Sequence, residues 1–116
     1  MPSAHTVDQH FTGKPPEVRR LYDRLLRAVS TLGPCEEDPK KTSIHLNRRT
    51  AFAGVATRKA GIVLTVKSGR KPVGRRVLKS EQASAHRWHF EVRINTPSDI
   101  DAELIGWLKE AYELSA

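Results

Sequence analysis

Hydroxyl, amide, imidazole and cationic side chains recur at every second position in three stretches of this chain, and that spacing decides what they could do together. Ser43, His45, Asn47 and Arg49 interleave with Ile44 and Leu46; Thr65 and Lys67 interleave with Leu64 and Val66; Arg87, His89, Glu91 and Arg93 interleave with Trp88, Phe90, Val92 and Ile94. A period of two sends one set to one face of a strand and the other set to the opposite face. The polar sets would then collect on one wet face, with Lys40 and Lys41 at a strand entrance and Glu91 as the one nearby acid. Such a surface suits phosphate, sulfate or carboxylate groups. The plainer reading is a solvated sheet face laced with Glu–Arg pairs.

Other chemistry is less complete. Lys40-Lys41-Thr42-Ser43 offers cations and hydroxyls to a phosphate, but lacks the glycines before the lysine and the helix after it that a phosphate loop requires. His45 and His89 could approach across strands, yet no third His or Cys is placed to join them, and a metal wants three or four ligands. A histidine oriented by Glu91 could act as a general base, but nothing marks a nucleophile. Cys35 follows Gly33-Pro34 at a helix end, where the negative end of the dipole does not activate a thiolate. No catalytic residue, metal or cofactor is therefore assigned. Trp88 and Phe90 are expected to face the core, which leaves the wet face without aromatic platforms for stacking bases and favours contact with phosphates.

Charge is unevenly placed. Residues 40–93 hold 14 basic and 2 acidic side chains, residues 1–39 hold 5 and 6, and residues 94–116 hold 1 and 5, for a net charge of +7. The loop at 68–76, SGRKPVGRR, contributes Arg70, Lys71, Arg75 and Arg76. Such segregation draws in polyanions, although cations also blunt sheet edges. At 116 residues the chain fits one domain, 1–116, and 38% hydrophobic with 28% charged residues fits a globular protein. One cysteine excludes an internal disulfide and suits a reducing compartment. The start has no signal-peptide core and no run reaches membrane-spanning length, so a cytoplasmic protein with no membrane partner is expected.

The elements that must position these residues follow from pattern. Thr6-Val-Asp-Gln9 has capping-box spacing and predicts a short helical turn ending near Phe11. After Pro15-Pro16, an apolar stripe of Val18, Leu21, Tyr22, Leu25, Leu26, Val29 and Leu32 predicts a helix that Gly33-Pro34 stops. Strands are expected from Thr42, over 52–57 with a bulge or close approach at Gly54, over 62–67, from Val77 to Ser80, and over 87–94 as the central strand. Ser98-x-x-Asp101 offers a second capping box before a helix with Leu104, Trp107, Leu108, Ala111 and Leu114 on its buried stripe. The expected fold is an α+β two-layer sandwich, a four- or five-stranded, mainly antiparallel sheet with N- and C-terminal helices packed on one face.

Four phrases together, TVDQHFTGKPPEVRRLYDRL at 6–25, PKKTSIHLNRRTAFAGV at 39–55, RWHFEVRI at 87–94 and DIDAELIGWLKEAYE at 99–113, resemble the bacterial family known as domain of unknown function 5655. The resemblance spans nearly the whole chain and is weakest over 68–80. It implies a small α+β domain without an established activity, one that also occurs as a tail on nuclease-like and restriction-associated proteins. The expectation is a non-enzymatic binding module whose basic sheet face and 68–76 loop contact an anionic partner, nucleic acid first or another polyanion. Two alternatives stand beside it: a nucleotide or anionic metabolite held by Lys41, His45 and His89 in a cleft, and a protein-interaction domain with an acidic partner.

Overall fold

The computed structural model of the protein describes residues 5–116, so the first four residues of the expected domain lie outside the described residues. A 3-10 turn at Asp8–Phe11 leads into helix α1 (Pro16–Ser30). Strands β1 (Glu36–Pro39), β2 (Ile44–Asn47), β3 (Ala51–Thr57), β4 (Ile62–Ser68), β5 (Lys79–Ser84) and β6 (Arg87–Ile94) follow, then a 3-10 turn at Pro97–Asp99 and helix α2 (Ala102–Leu114). The strands form one antiparallel sheet in the order β1-β2-β3-β4-β6-β5. The α+β two-layer architecture is as expected, but with six strands rather than four or five.

The extra strand is β1. Its sequence, Glu-Glu-Asp-Pro, has no apolar alternation, and Pro39 lacks the N–H that a ladder uses. An edge strand tolerates both, because only one of its sides is hydrogen-bonded. The fourth strand begins at Lys79 rather than Val77, and Val77 instead packs partly against the core. RWHFEVRI is an interior strand but not the central one, since β3 and β4 occupy the middle of the order and β6 lies next to the edge.

One face of the sheet is dry. Ile44, Leu46, Val55, Ile62, Leu64, Val66, Phe90, Val92 and Ile94 are fully buried there with Val18, Leu21, Tyr22, Leu25 and Val29 of α1 and Leu104, Leu108, Ala111 and Tyr112 of α2. Trp88 departs from its expected place: it is half-buried at the rim, with the Lys71 ammonium 5.8 Å from its ring. His86 belongs to the exposed turn before β6 rather than to the strand. The shortest dimension of the molecule, 25 Å, fits one sheet and one helical layer about 10 Å apart.

Local signals explain the ends of the helices. Thr6 and Gln9 do exchange capping bonds, the Gln9 N–H donating to Thr6 Oγ1 at 3.2 Å and the Thr6 N–H to Gln9 Oε1 at 3.0 Å. The second box is displaced by two residues. Asp99 accepts from the Asn95 and Thr96 N–H groups at 2.9 and 3.0 Å, and Asp101 alone caps α2, accepting from the Leu104 N–H at 3.0 Å. The bulge falls not at Gly54 but beside it: Leu46 pairs with Ala53 and Asn47 with Ala51, so Phe52 is the extra residue. That freedom lets Phe52 turn inward, edge-on to the Tyr112 ring with centroids 5.3 Å apart.

Candidate functional site

Among the described residues no helix lies over the opposite face of the sheet, and register fixes what that face presents. One row across the strands runs Asp38, His45, Gly54, Thr65, Glu91, Lys79; the next pairs Lys67 with His89 and His89 with Glu81; another pairs Val63 with Arg93. Arg87, two residues before His89, starts the same face. Glycine at 54 and alanine at 56 leave a depression between longer neighbours. The result is a shallow hollow of about 230 Å³ lined by Ser43, His45, Gly54, Ala56, Thr65, Lys67 and His89 among others.

Lys67 is the cation most firmly placed in it. Its ammonium donates to Ser115 Oγ at 3.0 Å and Thr50 Oγ1 at 3.3 Å, which ties it to the end of α2 and the turn after β2. Partial burial, and then the nearby Arg87 charge, hold its pKa below the ordinary lysine value. An arriving anion would relieve both by supplying the missing countercharge. His45 and His89, each on the rim, sit on strands separated by β3 and β4, three interstrand spacings or about 14 Å apart. They cannot share a metal as a close pair, and among the described residues no group of three potential ligands gathers anywhere.

A second hollow, of about 420 Å³, opens at the other end of the same face. It is lined by Arg58, Lys59, Ala60 and Gly61 of the β3–β4 turn with Val63, Arg93 and Asn95. The turn closes through the Arg58 N–H donating to the Gly61 carbonyl at 2.8 Å, and Arg58 Nη1 donates to the Thr57 carbonyl at 3.0 Å. No carboxylate pairs with Arg58, Lys59 or Arg93 among the described residues. Arg58-Lys59-Ala60-Gly61 has no alternation, and as sequence it reads only as a turn. Their neighbour Arg93 was legible; what brought them to it is the pairing of Val63 with Arg93, a long-range fact.

Several expected members are elsewhere. Lys40 is spent on Asp38, with Nζ 3.0 Å from Oδ2, and that contact first of all keeps the Asp38 carboxyl below its usual range. Arg76 reaches the helix side, where Nη1 meets Asp101 at 2.9 Å and Glu103 at 3.4 Å, and Nη2 donates to the Asp99 carbonyl at 2.6 Å. Lys71, over Trp88, is on that side too. Two of the four cations of the 68–76 loop thus turn away from the sheet face, and Ser68, which faces the core, donates its hydroxyl to the Arg70 carbonyl. Arg70 and Arg75 are exposed on that loop, while Lys41 and Arg49 are exposed in the turns flanking β2. Asn47 stays on the face but leans toward Asp38, with Nδ2 3.5 Å from its carboxylate. Nor is Glu91 alone, for Glu36, Asp38 and Glu81 join it along the two edge strands. Among the described residues, the cations on this face without a carboxylate partner thus run from Lys67 and Arg87 to Arg93, Arg58 and Lys59, with Lys79 at the β5 edge.

With this geometry in view, comparison adds a family. The model described as Domain of unknown function (DUF5655) matches residues 7–115, nearly the whole chain. The chain belongs to that family. No curated protein and no solved structure matches it. For this member of the DUF5655 family, then, any functional statement rests on the face just described. No helix among the described residues is long and apolar enough to cross a membrane.

Proposed function

We propose that this DUF5655 domain is a non-enzymatic binding module that holds the phosphate groups of nucleic acid on its uncovered sheet face. The observation that carries the reading is the band of cations Lys67, Arg87, Arg93, Arg58 and Lys59, which among the described residues have no carboxylate partner and lie on a face that no helix covers. Charge of this kind binds phosphates without regard to sequence. Trp88 and Phe90 belong to the other side of β6, so among the described residues the face offers the imidazoles of His45 and His89 but no large exposed ring on which bases could stack. A cytoplasmic setting is part of the same reading, and the free thiol of Cys35 suits it.

The test is binding of labelled duplex DNA at low salt, followed through a salt titration. Arg87→Glu with Arg93→Glu should abolish binding, and wild-type affinity should fall steeply with salt. A wild-type protein that binds no duplex at low salt overturns the proposal.

One observation favours a second reading, a small phosphate-bearing metabolite. The hollow at Gly54 is large enough for a phosphate with part of its carrier. A Cβ at Gly54 would come no nearer than 3.8 Å to His45 and 4.0 Å to Thr65, so the strand accepts a side chain there, and Gly54→Leu, with a thermal melt to check the fold, would extend into the hollow. Loss of mononucleotide binding in that variant, with duplex binding never observed, would establish the second reading in place of the first.

A further inference from the structure

The two hollows lie on one face but at opposite ends of the same strand pair. His89, opposite Lys67, lines the first; Arg93, opposite Val63, lines the second. Four residues of strand separate them, about 13 Å at roughly 3.3 Å per residue. Between them Thr65 faces Glu91, so the positive charge is interrupted by an acid rather than continuous. The far margins are also acidic, with Glu36 and Asp38 on β1 and Glu81 on β5. A single phosphate, or a mononucleotide, would fill one hollow and leave the other empty.

Resting on the binding reading above, we propose that these are two separate phosphate seats, and that their joint occupant is the backbone of duplex nucleic acid. Phosphates two steps apart on one duplex strand stand roughly 13 Å apart once helical twist is added to the 3.4 Å rise per step, so two phosphates of one rigid duplex reach both seats without bending. A single strand would have to be held straight, and among the described residues this face exposes no Phe, Tyr or Trp ring with which to hold it. Linking two weak seats through one ligand raises affinity far beyond either alone, since the second contact becomes intramolecular. The acids between and beside the seats disfavour a backbone laid across them in other directions.

The experiment compares a labelled duplex of about 16 base pairs, a single strand of the same length and adenosine monophosphate, using wild type and Arg58→Ala/Lys59→Ala. Both substituted side chains are exposed, and a thermal melt checks that the fold survives. Duplex affinity should fall about tenfold and the salt slope should lose about two counterions, while nucleotide binding at the Gly54 hollow stays unchanged. Lys59→Glu alone should act in the same direction. Unchanged duplex binding in both variants, or single-strand binding as tight as duplex binding, overturns the two-seat proposal while leaving the module a phosphate binder. Wild type that binds none of the three probes overturns the parent reading instead.

Discussion

Gly61 occupies a position where even a methyl group has no room. A Cβ there would strike the Ile94 carbonyl oxygen and crowd Asn95, both fixed by the end of β6. Gly61→Ala should cost about 2–3 kcal/mol by chemical denaturation, because backbone cannot yield as a flexible side chain would. Gly33 is constrained twice, by a φ of 143° and by the Tyr112 hydroxyl that would meet its Cβ. Tyr22 offers a milder case. Its hydroxyl donates to Glu37 Oε2 at 2.6 Å, and burial first, then that carboxylate, pushes the phenol pKa well up. Tyr22→Phe should cost only about 1 kcal/mol, since Glu37 is exposed and water replaces the lost donor. None of these contacts was legible in the sequence. Gly61 read as a turn glycine, and a turn signal says nothing of the strand that passes beside it.

At the scale of elements, the start of α2 is held by charge. Backbone N–H groups of Asn95 and Leu104 are the chief cause of the lowered Asp99 and Asp101 pKa values respectively, with Arg76 adding to both. A carboxylate whose folded pKa is depressed stabilises the fold above its unfolded value, near 4, and loses that contribution as pH falls through the folded value. Thermal melts should therefore show stability level from neutrality to about pH 5 and falling below about pH 4, with a smaller fall in Asp101→Ala. That variant should also lose about 1 kcal/mol at neutral pH through the missing cap. Arg76→Ala should lower the melting temperature and leave nucleic-acid binding intact, the reverse of Arg93→Glu. The sequence placed α1, α2 and the alternating strands because apolar periodicity is local. It missed β1, whose three acids and a proline become a strand only because β2 is there to pair with them.

For the whole molecule, the relevant quantity is where charge ends up rather than how much there is. Fourteen cations between residues 40 and 93 suggested one basic surface. Folding divides them: Arg48 lies over the Tyr112 ring at 4.2 Å, Lys71 and Arg76 serve the helix side, and Lys40 is paired. Alternation assigned the faces of β4 and β6 correctly, but the 68–76 loop carries no period and its direction could not be read. Duplex binding should accordingly show a log–log salt slope of about −4 or −5, reflecting the five Lys and Arg of the band, rather than the far steeper value that all fourteen would give.

The inserted Phe52 has an outcome beyond local shape. As the extra residue it leaves 53–57 in unbroken register with β4, so that Val55 is sealed inside while Gly54 and Ala56 line the hollow. A mutational scan along 53–56 should thus alternate between two kinds of damage, misfolding at one position and silent loss of ligand at the next. Removing Phe52 would leave that alternation in place and instead open the core beside Tyr112.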